Sequence, residues 1–186
     1  VDPCCGSGTI PIEAAMIGRN IAPGLSRHFA AEEWEAIPTD LWREERQQAY
    51  EAVDWDKPLE IYGYDIDSDA VRAAEENAAE AGVADDIVFE RYDGAAIDSG
   101  GQEGGIIITN PPYGERIGDR RSIEKLYAGW AGFLAENPTW SCFVITPDKT
   151  IENKVFGRPA NRRRKLFNGR LEVCYYQYHG EKPKSR

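Results

Sequence analysis

Apolar positions along the chain fall into two kinds of stretch. Behind a glycine turn, Ile10, Ile12, Ala15 and Met16 supply the packing positions of a helix over residues 9–17, and Pro23 and Gly24 close that region. Residues 68–81 predict a second helix, opened by Ser68 or Asp69 as a cap and stopped by Gly82. Residues 122–135 predict a third. Between them lie short runs with strand chemistry at 59–64, 87–92, 104–109 and 140–146. The last two are apolar runs of the kind expected in strands buried on both faces. Residues 163–167 and 171–178 flank Asn168-Gly169, the strongest short hairpin signal.

This alternation of strands and helices predicts an α/β fold with a mainly parallel sheet, and the closing hairpin supplies an antiparallel strand at its end. Residues 26–58 interrupt the pattern. They are polar, carry Trp34, Trp42 and Trp55, and break at Pro38-Thr39, which predicts a mostly helical insertion packed on the domain's edge. A length of 186 residues suits one domain, residues 1–186, with a substantial core. Only Val1 and Asp2 stand ahead of the glycine turn, so the sequence is expected to be a fragment truncated on its N-terminal side.

A hydrophobic content of 41% excludes a disordered chain. No apolar run approaches the ~20 residues of a spanning helix, and no signal-peptide pattern opens the sequence, so no membrane partner is expected. Cys4, Cys5, Cys142 and Cys174 include no C-x-x-C pair. That argues against a metal site and fits reduced thiols in a cytoplasmic protein. The net charge of −10 is unevenly spread: residues 154–186 hold ten Lys and Arg against two acids, a net of +8, leaving −18 on the first 153 residues. The dense basic run Arg162, Arg163, Arg164 and Lys165 is the candidate RNA-facing patch.

Four constellations carry candidate chemistry. In Asp2-Pro3-Cys4-Cys5-Gly6-Ser7-Gly8-Thr9, a glycine turn opens a helix, the usual place for a nucleotide-like ligand in such sheets. The third glycine of a dinucleotide turn is replaced by Pro11, and no Walker lysine follows. The turn therefore suits a ligand with a carboxylate and an amine rather than phosphates. In Gly63-Tyr64-Asp65-Ile66-Asp67, Asp65 is placed to accept both hydroxyls of a ribose and Ile66 to flank an adenine, while Asp67 is either a second acceptor or a helix cap. In Tyr92-Asp93-Gly94, Asp93 is placed to accept from the exocyclic amine of that adenine. The fourth is Thr109-Asn110-Pro111-Pro112-Tyr113-Gly114, following a strand and so lying at the ligand-binding edge of the sheet. An aromatic amine is a poor nucleophile because its lone pair is delocalised into the ring. The Asn110 side-chain oxygen and the Pro111 carbonyl can each accept one amine hydrogen, favouring a pyramidal nitrogen aimed at a methyl donor. The prolines, Pro112 included, stiffen the loop. Tyr113 can stack on an extruded base, worth roughly 1–3 kcal/mol.

These motifs, with Ile12-Glu13-Ala14-Ala15, Ala22-Pro23-Gly24, Asn110 to Arg116 and Lys165-Leu166-Phe167-Asn168-Gly169, resemble the bacterial 23S rRNA guanine-N2 methyltransferases over nearly the whole chain. The resemblance implies a Rossmann-like class I fold, with a seven-stranded sheet and helices on both faces. It implies S-adenosylmethionine as cofactor, lined by Asp2, Cys4, Gly6, Gly8, Asp65 and Asp93. It implies ribosomal RNA as partner, with Asn110, Pro111, Pro112 and Tyr113 holding the target base. Members of that group carry an RNA-binding THUMP domain ahead of the catalytic domain, and this sequence does not include one.

Asn-Pro-Pro-Tyr is shared with adenine-N6 methyltransferases and with enzymes that methylate a release-factor glutamine, so the loop alone leaves the amine open. A non-catalytic RNA-binding module is the reading from another class, and binding of the methyl donor would separate it. A dehydrogenase is disfavoured by Pro11. Glu115 and Arg116 are candidates to order the loop as a pair.

Overall fold

The computed structural model describes residues 1–113 and 119–182, apart from the side chains of Asp119 and Arg120. Among these residues six strands form: β1 (Ile61–Asp65), β2 (Ile87–Arg91), β3 (Ile106–Thr109), β4 (Ser141–Thr146), β5 (Arg162–Asn168) and β6 (Leu171–Tyr178). β1 and β2 pair in parallel, and a second sheet runs β3-β4-β6-β5. Val1 and Asp2 join them. The Asp2 N–H donates to the Tyr62 carbonyl and the Tyr64 N–H to that of Asp2, both at 2.8 Å, while the Ile108 N–H donates to the Val1 carbonyl at 3.0 Å. The result is one layer in the order β2, β1, Val1–Asp2, β3, β4, β6, β5. Seven full strands are not formed among the described residues. The two residues ahead of Pro3 suffice only for a bridge to Gly63. Among the described strands only β6 runs against the rest, antiparallel to both β4 and β5.

The helices are α1 (Thr9–Gly18), α2 (Thr39–Glu51), α3 (Ser68–Ala81), α4 (Asp119–Glu136) and the short α5 (Ile151–Lys154). Of these, α1, α3 and α4 fall where the apolar spacing and its punctuation put them, α2 lies in the polar segment expected to be mostly helical, and the sequence pattern does not predict α5. The α3 cap is Asp67, whose carboxylate accepts from the Asp69 N–H at 2.9 Å, rather than Ser68 or Asp69. Gly82 ends α3 in the left-handed conformation. In the hairpin, Asn168 pairs with Leu171, so the loop is Gly169-Arg170 with Gly169 at φ 60°. Glycine supplies the positive φ that two-residue hairpin loops demand.

α1 and α3 bury Ile12, Ala15 and Ala78 against Val83 and Ile87. α4 buries Leu126, Tyr127, Trp130 and Phe133 against Ile107, Cys142, Val144, Tyr176 and Tyr178. The runs expected to be buried on both faces are buried on one. Ile107 and Thr109 of β3 and Cys142, Val144 and Thr146 of β4 are buried, whereas Ile106 is half exposed and Ile108, Phe143 and Ile145 are partly buried. Apolar sequence alone does not register which covering helix is present.

In segment 26–58, Phe29 stacks on Trp42 with ring centroids 5.9 Å apart, and Arg46 reaches Glu32 and the carbonyls of Leu25 and Arg27. Arg19 of α1 ties the end of this segment down through the carbonyls of Asp54, Trp55 and Lys57, while pairing with Asp86.

Trp130 fixes α4 to the sheet edge that carries the site. It is fully buried, and its indole N–H donates to the Gly94 carbonyl at 2.8 Å. Beside it, a Cβ on Gly129 would lie 2.0 Å from the Ala95 carbonyl oxygen, so the helix backbone and the 94–95 loop touch directly. Trp130→Ala is expected to cost about 3–5 kcal/mol, a large share of the ~5–15 kcal/mol holding such a domain. Urea unfolding followed by circular dichroism would measure it. A loss below about 1 kcal/mol would show that the cavity collapses freely.

Candidate active site

The four constellations meet at the carboxyl edge of the sheet. The chain leaves the Val1–Asp2 bridge, turns through Pro3 to Gly8 and enters α1. Gly6 and Gly8 both hold positive φ, 53° and 83°. They differ in what surrounds them. A Cβ on Gly8 would press on the Ala74 Cβ at 2.9 Å, so that glycine lets α1 and α3 approach. A Cβ on Gly6 would meet nothing within 4 Å, so that glycine borders open space. The α1 N-cap makes no side-chain hydrogen bond and its first turn has no acid, leaving N–H groups suited to a ligand carboxylate.

Asp65 closes the turn from the end of β1. Its Oδ2 accepts from the Gly6 N–H at 2.9 Å and its Oδ1 from the Asp67 N–H at 3.0 Å. Each oxygen keeps a lone pair, which is what two ribose hydroxyls require. Ile66 beside it is mostly exposed, an apolar side chain with room for a flat ring. Asp93 lies past β2, its Oδ1 accepting from the Ala95 N–H at 3.0 Å and its Oδ2 paired with Lys125 at 2.5 Å. Lys125 holds the Asp93 carboxyl below its ordinary range. Sequence reasoning gave no hint of Lys125, which is 32 residues away on α4. A Cβ on Gly94 would fall 2.1 Å from the Pro3 carbonyl oxygen, so the Asp93 loop rests on the first turn. These groups fit S-adenosylmethionine: carboxylate and amine at the turn, ribose at Asp65, adenine at Ile66 and Asp93.

Asp2 is buried, its Oδ1 accepting from the Cys4 N–H at 3.1 Å. Burial pushes its carboxyl up to about 6, opposed by the Thr109 hydroxyl and the Cys4 N–H. A carboxyl whose folded pKa is raised binds its proton more tightly folded than unfolded. Its favourable contribution is therefore full below about pH 4 and lost as pH rises through about 6. Asp2→Asn keeps an acceptor for Cys4 and removes the titration. It is expected to match the parent near pH 4 and exceed it by about 2–3 kcal/mol at pH 8, read from urea unfolding at both pH values. A pH-independent difference would mean Asp2 does not titrate in this range.

Asn110 follows β3 and is exposed, Pro111 is buried, Pro112 is exposed and Tyr113 is partly buried. The Tyr113 hydroxyl donates to the Asn110 Oδ1 at 2.7 Å, a bond that sequence reasoning missed. It leaves that oxygen a second lone pair and fixes the amide's direction. Glu115 and Arg116 lie outside the described residues. Burial raises the thiol of Cys4 and pushes that of Cys5 up to about 12, so neither is a thiolate near neutral pH.

A model of the UPF0020 family, described as an RMKL-like methyltransferase domain, matches residues 1–177. The chain belongs to this family. This UPF0020 domain is 45% identical to a Bacillus subtilis protein named as an RNA methyltransferase, YpsC, over 96% of the chain and 46% of that protein. It is 40% identical to ribosomal RNA large subunit methyltransferase K/L of Syntrophotalea carbinolica, over 92% of the chain and 25% of the relative. The chain thus spans less than half the length of these curated relatives. Among solved structures, SMU.472, described as a methyltransferase complexed with SAH, superposes with a TM-score of 0.90 at 43% identity, covering 98% of this UPF0020 domain and 48% of that chain. A Listeria monocytogenes protein described as an N6-adenine-specific DNA methylase superposes at 0.87 with 42% identity, covering 97% and 46%.

The basic run of this UPF0020 domain forms most of β5, the exposed edge strand. Arg163 pairs with Glu152 at 2.9 Å and Lys165 with Glu172 at 2.6 Å. Arg162 and Arg164 alternate with them and point to the other face.

Proposed function

We propose that the chain transfers a methyl group from S-adenosylmethionine to the exocyclic N2 amine of a guanine in 23S ribosomal RNA. The observation that carries this is the placement of Asn110-Pro111-Pro112-Tyr113 at the end of β3, on the same sheet edge as the Gly6 turn and Asp65. S-Adenosylmethionine, when bound, supplies an electrophilic methyl. The chain's own residues do the rest. Asp65 holds the ribose, Ile66 and Asp93 the adenine, and Asp2, Cys4, Gly6 and Gly8 shape the amino-acid end. The Asn110 Oδ1 and the Pro111 carbonyl accept the two amine hydrogens, which favours a nitrogen with its lone pair free. Tyr113 stacks on the base, offsetting part of the few kcal/mol that unstacking costs. No side chain has to remove the proton beforehand, because it becomes acidic once the nitrogen is alkylated.

The names of the curated relatives support an RNA substrate. RNA would be held jointly by β5, chiefly through Arg162 and Arg164 since Arg163 and Lys165 are paired with Glu152 and Glu172, and by a THUMP domain ahead of this chain in a longer cytoplasmic protein. Methyl transfer by the full-length protein to unmodified ribosomal RNA, followed by nucleoside analysis, tests the reading. N2-methylguanosine is expected. The name of the Listeria neighbour favours a second reading, adenine N6, and N6-methyladenosine as the product would replace the first.

A further inference from the structure

Beyond the cofactor groups, the catalytic loop borders a cavity of about 590 Å³, lined by Pro112, Tyr113, Tyr127, Thr146, Asp148 and Lys154 among others. Its volume is within the ~300–1,000 Å³ of small-ligand sites. Two adjacent parallel strands, β3 and β4, deliver Asn110 and Asp148 to the same edge, with Thr109 opposite Val144 in register.

Asp148 is a braced carboxylate. Its Oδ1 accepts from both the N–H and the hydroxyl of Thr150, at 2.8 and 2.7 Å. Its own N–H donates to the Thr146 hydroxyl at 3.2 Å, which is itself bonded to the Tyr127 hydroxyl at 3.0 Å. Burial pushes Tyr127 up to about 12, so this chain of hydroxyls stays neutral. Among the described residues, the Asp148 Oδ2 accepts from none.

We propose that Asp148 selects guanine over adenine by accepting the ring N1–H beside the target amine. This rests on the methyl-transfer reading and deepens it. Once Asn110 and Pro111 hold the exocyclic amine, the neighbouring ring position differs between the two bases. Guanine presents a donor at N1, which a carboxylate accepts. Adenine presents a lone pair there, which a carboxylate repels. A polar group built for one pattern is left unpaired by the other, the most effective source of discrimination in a closed site. Lys154, in the same cavity, suits the nucleotide's phosphate.

The test uses the full-length protein saturated with S-adenosylhomocysteine, so that nucleotides do not occupy the adenine subsite. Thienoguanosine 5′-monophosphate, a fluorescent guanine analogue that keeps both the N1–H and the 2-amine and is quenched by stacking, reports on the cavity. It is displaced with guanosine or adenosine 5′-monophosphate. Guanosine monophosphate is expected to compete at least tenfold more strongly. In Asp148→Asn, which keeps an oxygen for Thr150 and adds a donor for N1, the gap is expected to close to within threefold. In Tyr113→Ala the quench should vanish. No quench in the parent, equal competition in the parent, or a gap that survives Asp148→Asn each overturns the proposal. If the proposal fails while ribosomal RNA still acquires N2-methylguanosine, the methyl-transfer reading stands. If the guanine preference depends on Asp148 but no such product forms, the reading is what fails.

Discussion

Asn110→Ala should reduce methyl transfer by about 10²–10³, the usual cost of deleting one preorganised hydrogen-bonding group from a transition state, and leave cofactor affinity within about twofold. The asymmetry is positional. The Asn110 Oδ1 is bonded to the Tyr113 hydroxyl, whereas the Gly6 turn is tied to Asp65 and the Asp93 carboxylate to Lys125 and Ala95. Among the described residues, no hydrogen bond links the cofactor side to Asn110. Its contribution grows as the amine becomes pyramidal, so the loss belongs to the chemical step. Single-turnover kinetics give the rate, and calorimetry with S-adenosylhomocysteine gives the affinity. Parallel loss of both would place Asn110 in the cofactor site instead. Tyr113 supplies a graded control. Stacking needs only the ring, which alone would make Tyr113→Phe mild. The hydroxyl also orients Asn110, so Tyr113→Phe should slow the chemical step measurably, while Tyr113→Ala should weaken base capture as well.

The groups involved in that prediction were legible in sequence to different degrees. Asn110-Pro111-Pro112-Tyr113 announces itself because the chemistry needs contiguous residues: a short loop supplies two acceptors and a ring. Asp65 is legible for a similar reason, since an acid at the end of a strand before a capped helix has few other uses. The parallel strands and the hairpin follow from local apolar runs and Asn168-Gly169. Contacts between distant segments were not legible. Lys125 meets Asp93 because α4 crosses the 93–95 loop, and nothing local to either residue says so. The same crossing requires Gly129 to lack a Cβ, and the seating of the loop on Pro3 requires it of Gly94, yet Asp93-Gly94 taken alone is a common turn pair. Asp148 enters the candidate site only because β4 lies beside β3.

The apolar run at 104–109 misled in the opposite direction. It specifies that both faces of β3 can be buried, and the structure buries one. Hydrophobicity records what a strand tolerates, while coverage depends on elements elsewhere. The basic run shows the same limit. Four consecutive cations predict an exposed patch, but strand alternation sends Arg163 and Lys165 toward Glu152 and Glu172, so the patch available to a polyanion is smaller than the count suggests.

Asp65→Ala should weaken S-adenosylhomocysteine binding by about 10²–10⁴. Hydrogen bonds to a charged group contribute roughly 1.5–3 kcal/mol each, every 1.4 kcal/mol is about tenfold, and two ribose hydroxyls lose their acceptor together. A second loss compounds the first. The Asp65 carboxylate also holds the Gly6 N–H at 2.9 Å and the Asp67 N–H at 3.0 Å, so its removal frees the turn that faces the amino-acid end of the ligand. Asp65→Asn separates the two effects. It keeps one oxygen and puts an N–H donor where the other acceptor was, so its affinity should fall between parent and alanine variant. Asp67→Ala is the local control. It removes the α3 cap, which should cost about 1 kcal/mol of stability with little change in affinity, because its carboxylate is turned to the Asp69 N–H. Calorimetry and thermal unfolding on the three variants would distinguish these outcomes. Unchanged affinity in Asp65→Ala, with the fold intact, would place the ribose elsewhere on the sheet edge.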